Sequence, residues 1–135
     1  NNLGGSGVGA IGVFVGCEYV NAQGQVMYSQ YYPSGTTGVV TAKVITDSNV
    51  AFQAQLDGSG AQTVLGTNTF FAAAQSTSTG STQTGNSTSA LDATVQTTAA
   101  AFRIVGFASP AGDAYTDVLV KFNPSAHSYL NAVGL

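Results

Sequence analysis

The chain has 135 residues, one domain's worth of sequence, and only 7% of them are charged where about 25% is usual. Its net charge is −3 and its cations, Lys43, Arg103 and Lys121, lie far apart along the sequence. That excludes tracking of a phosphate backbone, which needs clustered cations, and no apolar run reaches the ~20 residues of a membrane span, so neither nucleic acid nor membrane is an expected partner.

The first stretch, "NNLGGSGVGAIG", has glycines too closely spaced for a regular strand, and residues 1–9 read as an extended lead-in segment. "AIGVFVGCEYV" and "QVMYSQYY" are β-branched and aromatic runs around the turn-forming "NAQG", which predicts a hairpin over residues 10–32. "PSGTTG" breaks it. "VVTAKVITD" and "VAFQAQL" follow, joined at "SN"; in the second, Val50, Phe52, Ala54 and Leu56 alternate with Ala51, Gln53 and Gln55, the period of a half-buried strand. "DGSG" ends it, and shorter strands are read around "TVL" and "TFFAAA".

Residues 75–98, "QSTSTGSTQTGNSTSALDATVQTT", are biased to Ser, Thr, Gln, Asn and Gly and read as a long loop, with Leu91 and Val95 as the residues able to pin it to the body. The tail returns to strands. "AAFRIVGF", a turn through "ASPAGDA" and "YTDVLVKFN" predict a second hairpin, with Val118, Val120 and Phe122 on one face and Asp117, Leu119 and Lys121 on the other. Without a helical period or an internal repeat, residues 1–135 read as a single all-β domain, an antiparallel β-sandwich or barrel-like fold. The chain opens with Asn rather than Met, so further residues upstream of Asn1 are expected.

Few residues point to chemistry. Gly7, Gly9 and Gly12 fit G-x-G-x-x-G, but the phosphate-binding form needs a preceding strand and a following helix, so no nucleotide cofactor is expected. Asp113, Asp117 and His127 fall within fifteen positions and could be imagined as a metal or acid–base set. Asp113 lies in a Gly-Asp-Ala turn, Asp117 opens a strand, and His127 has no second imidazole beside it, so all three read as structural. Serines abound without a G-x-S-x-G elbow, and nothing in their surroundings marks out Glu18, Asp47, Asp57 or Asp92 as a hydrolase pair. The reading is no catalytic residue, no metal, no cofactor and no enzyme. Cys17 stands alone in an apolar run and reads as a small core residue, and Asn86-Ser87-Thr88 as a chance sequon in a Ser/Thr-rich loop.

The tyrosines of "MYSQYYPSG" are the interface candidates: Tyr28, Tyr31 and Tyr32 offer large contact area with a hydrogen-bonding tip, and strand alternation puts Tyr31 and Tyr32 on opposite faces. The charge deficit points the same way. Solitary β proteins guard their edge strands with lysines, prolines or inward charges, and this chain has almost none of that protection. A neutral surface rich in Ser, Thr, Gln, Asn and Tyr is cheap to desolvate, which predicts a protein covered by copies of itself or by a larger lattice, with ~800 Å² buried per partner in each contact.

"AAFRIVGF" followed by "GDAYTDVLVKFNPSAHSYLNAVGL" resembles the C-terminal region of tailed-bacteriophage head decoration, or cement, proteins. "GVFVGCEYVNAQGQVMYSQYYPSG" and "VITDSNVAFQAQLDG" are similar to earlier parts of the same family, so the resemblance covers residues 12–135. It implies a structural virion protein on the outer surface of the capsid, with the major capsid protein as partner and a symmetric homo-oligomer, a trimer, as its form. It also implies strands upstream of Asn1, and neither catalysis nor a cofactor. A phage fibre or bacterial surface adhesin-type domain is the alternative reading.

Overall fold

The computed structural model describes residues 9–72, 80–81 and 83–131, and over them the chain is all-β. The seven strands are β1 (Val13–Val20), β2 (Val26–Ser29), β3 (Val40–Ile45), β4 (Phe52–Gln55), β5 (Asn68–Thr69), β6 (Phe102–Phe107) and β7 (Asp117–Phe122). They form two antiparallel sheets, of three strands in the order β2-β1-β3 and of four in the order β4-β7-β6-β5. One short 3-10 turn, Gln62–Val64, interrupts the strands.

The predicted first hairpin exists as β1 and β2, in register through Cys17–Ser29, Glu18–Tyr28, Tyr19–Met27 and Val20–Val26. Its turn is set by Asn21, whose Oδ1 accepts from the backbone N–H groups of Gln23 and Gln25 at 3.0 and 2.9 Å. The hairpin is shorter than residues 10–32 because β2 ends at Ser29, where the Ser29 side chain accepts from Tyr31 N–H and bends the chain. β3 pairs with the other side of β1, with an irregularity between Phe14 and Gly16. Gly12 lets the two strands meet: at φ +153°, a Cβ there would stand 2.0 Å from the Ile45 carbonyl oxygen.

"VVTAKVITD" and "VAFQAQL" do not pair with each other. The intervening turn, in which Asp47 Oδ1 accepts from Asn49 N–H at 2.8 Å, carries the chain from one sheet to the other. β4 instead pairs with β7, through Phe52–Val120 and Ala54–Val118. The second predicted hairpin is β6–β7, in register through Phe102–Phe122 and Ile104–Val120. Of "TFFAAA", Thr69 belongs to β5 and Phe71 makes an isolated bridge to Leu91, while Ala73 and Ala74 lie outside the described residues.

The core lies against the four-stranded sheet. Ile104, Val118, Val120, Phe102 and Phe122 project from one face as alternation demands. Leu56, Val64, Leu91 and Ala101 join them in the same buried cluster, and Phe52, Phe71 and Val95 pack on it. The rings of Phe52, Phe102 and Phe122 touch at centroid distances of 5.0–6.0 Å. The expected anchors of the Ser/Thr-rich segment do meet the body: Leu91 is fully buried and bridges Leu56 and Phe71, and Val95 packs alongside. Residues 75–79 and 82 of that predicted loop, and 1–8 of the lead-in segment, lie outside the described residues. At the end of β7 a bend over Asn123–His127 turns the chain so that Ala10 N–H donates to Ala126 O at 2.7 Å and Ser128 N–H to Ala10 O at 2.9 Å.

Candidate functional site

Two surfaces stand out from this frame. The first is the three-stranded sheet. Its central and edge strands carry apolar residues at consecutive positions, Val13-Phe14-Val15 and Val26-Met27-Tyr28, so both faces bear apolar residues, with Glu18 and Lys43 beside Tyr28 on one of them. The deep core takes little of this: Val13 packs on it, while Phe14, Val15, Val20, Val26, Met27, Tyr28 and Ile45 are exposed. Val20 and Val26 are cross-strand partners, and Tyr28 shares their face; Val26 and Tyr28 are 56% and 67% exposed. β2 and β3 are the sheet's edges, and among the described strands none pairs with their outer sides.

The second is a groove of about 710 Å³ beside that sheet. Phe14 of β1, the stretch Gln30–Ser34 after β2, and the turn residues Gly80, Ser81 and Gly85–Ser87 line it. Tyr31 and Tyr32 both face it. Alternation would have separated them, but β2 has already ended and the bend turns both the same way. Of the three interface candidates, then, Tyr31 and Tyr32 come together at the groove and Tyr28 stands apart on the open sheet, with Lys43 Nζ 5.1 Å over its ring. Among the described residues lining the groove, none carries an ionised side chain at neutral pH.

The imagined chemical set does not assemble. Asp117 opens β7 and His127 follows its far end, so they are separated by a strand rising ~3.4 Å per residue over its six residues. Asp113 lies in the turn before that strand, its carbonyl accepting from the Thr116 hydroxyl at 3.0 Å. His127 is 1% exposed, edge-on to the rings of Phe122 and Tyr129 at 5.7 Å each. Its Nδ1 accepts from Tyr129 N–H at 3.3 Å, and Nε2 is buried without a hydrogen-bond partner among the described residues. Two other carboxylates hold backbone amides: Asp57 Oδ1 accepts from Ala93 N–H at 2.8 Å, tying two distant segments, and Asp92 Oδ1 accepts from Thr94 N–H at 2.7 Å within a turn. Among the described residues no three of His, Cys, Asp and Glu converge as a metal site, and no helix is long and apolar enough to cross a membrane.

The cations are less scattered in space than in sequence. Arg103 and Lys121 are cross-strand partners on the outer face of the four-stranded sheet, and Arg103 Nε donates to Asn68 Oδ1 at 3.2 Å. Two adjacent cations are still short of a phosphate track. Cys17 is 2% exposed and its thiol donates to Tyr31 O at 3.4 Å. Sequence reasoning missed Val20, Val26 and Phe14 as surface residues; the available signal was the consecutive apolar positions, which give a strand two apolar faces without saying what covers them.

No protein-family model, curated protein or solved structure matches the chain.

Proposed function

We propose that the chain is a structural virion protein that binds the outside of a tailed-phage capsid and cements neighbouring major capsid subunits. The observation that carries the reading is the three-stranded sheet, which bears apolar residues on both faces and, among the described strands, has no partner at either edge, with Val20, Val26 and Tyr28 exposed. Monomeric proteins seldom leave such a sheet bare, because unpaired edges invite another strand and apolar area favours burial. Its neutral composition makes burial cheap, since desolvating Val, Tyr, Thr and Ser costs far less than desolvating charges. The sheet carries one cation and one anion on that face, Lys43 over the Tyr28 ring and Glu18 as the cross-strand partner of Tyr28, so the face has no net charge.

The negative net charge suits the outer side of a shell better than the side facing packaged DNA. The resemblance of residues 12–135 to decoration proteins supplies the particle; the exposed sheet supplies the means of holding it. In a symmetric array each contact can be modest, because neighbouring contacts raise one another's effective concentration. The test is co-sedimentation of purified chain with assembled shells lacking it. Saturable binding at a copy number comparable to the shell subunit supports cementing. A few copies per particle favours a fibre or adhesin-type role instead, and no binding overturns both.

A further inference from the structure

The groove beside the open sheet has a chemistry that docking on a protein shell does not use. We propose that it is a binding site for an uncharged saccharide. Three aromatic residues, Phe14, Tyr31 and Tyr32, line it, and Tyr32 is 59% exposed. The face of an aromatic ring carries partial negative charge, so it attracts the weakly positive C–H face of a sugar ring and shields it from water. Around the rings stand the neutral hydrogen-bonding side chains of Gln30, Ser34, Asn86 and Ser87, both donors and acceptors, suited to hydroxyl groups. An ionic ligand finds no counter-charge among the described residues lining the groove. The volume, about 710 Å³, falls within the ~300–1,000 Å³ usual for small-ligand sites.

Hydrogen bonds within the chain hold the Tyr31 wall and the facing Gly85–Ser87 stretch. Ser81 N–H donates to Asn86 O at 2.9 Å and Gly85 N–H to Ser81 O at 2.7 Å, which holds the Gly85–Ser87 stretch to Ser81. The Gln30 side-chain amide donates to Thr84 O and ties the turn to the chain after β2. Gly85, at φ +71°, lies against the Tyr31 ring so closely that a Cβ would stand 2.6 Å from Tyr31 Cδ1. Tyr31 is held again at its backbone, where its carbonyl accepts from the buried Cys17 thiol and its N–H donates to Ser29 Oγ. A rigid aromatic wall loses little freedom on binding, which favours affinity. These same bonds argue for a saccharide over an extended peptide, because Ser81 N–H, Gly85 N–H, Ser81 O and Asn86 O are already spent on each other.

The inference does not depend on the capsid reading and is tested without particles. Purified chain is titrated with maltotriose, cellotriose, chitotriose and mannotriose and followed by chemical-shift changes and saturation transfer. Binding of at least one below about 10 mM is expected, with shifts at Tyr31, Tyr32 and Asn86. Tyr32→Ala, an exposed position, should weaken it about tenfold or more with the melting midpoint unchanged, and Asn86→Ala should weaken it through the lost amide. Three results overturn the proposal: no saccharide bound at about 10 mM, affinity unaltered in both variants, or an uncharged Ser/Thr-rich peptide bound in the groove when no saccharide is.

Discussion

Lys43 Nζ lies 5.1 Å above the centre of the Tyr28 ring, so the cation of the three-stranded sheet rests on an aromatic face beside Val20 and Val26. A cation–π contact at an exposed site is worth about 0.5–1 kcal/mol and lowers the cost of covering the lysine with a partner. Val26 is the sharpest probe of that patch. Val26→Asp should leave the urea midpoint nearly unchanged, within about 0.5 kcal/mol, because surface substitutions rarely cost more. It should reduce co-sedimentation with shells about tenfold or more, because it forces an unpaired carboxylate into a dry contact.

Asn68 and Asn123 hold the four-stranded sheet to the bend that follows it. Asn123 Nδ2 donates to Asn68 Oδ1 at 3.1 Å and to Ala100 O at 2.9 Å, while Asn68 Nδ2 donates to Thr98 O at 2.8 Å. Asn123→Ala removes both bonds and leaves the Ala100 carbonyl without this donor, while Asn68 Oδ1 keeps Arg103 Nε; it should cost about 1–3 kcal/mol in equilibrium urea unfolding, the loss expected when a buried acceptor is left unmet. Shell binding measured well below the unfolding transition should persist.

His127 packs between Phe122 and Tyr129 with its ring fully enclosed. His127→Ala opens a cavity and should destabilise the fold by about 2–4 kcal/mol, read as a lowered thermal midpoint. At temperatures where the variant remains folded it should still co-sediment with shells. Loss of binding in the folded variant would assign the imidazole a role at the partner surface.

Cys17 is enclosed beneath the groove's aromatic wall, its thiol bonded to the Tyr31 carbonyl. A thiol reagent such as dithiobis-nitrobenzoate should leave it unmodified in the native protein and modify it fully in denaturant, because attack needs an accessible thiolate. Rapid native reaction would mean that the wall opens readily, and would weaken the case for a fixed groove.

The strands were legible wherever one face is buried and the other wet. Val118, Val120 and Phe122 against Asp117, Leu119 and Lys121 gave β7 and its inner face directly, and "ASPAGDA" gave the turn that pairs it with β6. Pairing across distance was not legible: no local pattern says that Phe52 will face Val120 rather than a residue of β3, since loop closure, not propensity, decides it. The tyrosine cluster was legible as residues but not as geometry, because the departure of Tyr31 from strand alternation depends on a bend set by the Ser29 side chain. The groove was hidden altogether. Its second wall comes from Gly85–Ser87, brought to Tyr31 from the far side of the chain by a segment whose composition reads only as loop.

The most direct measurement is a cryo-electron microscopy reconstruction of particles assembled with the chain. Density is expected on the outer shell surface, in numbers comparable to the shell subunit, with Val20, Val26 and Tyr28 of the three-stranded sheet covered by a neighbouring subunit. A shell surface without the chain, or a bound chain whose three-stranded sheet faces open solvent, would contradict it.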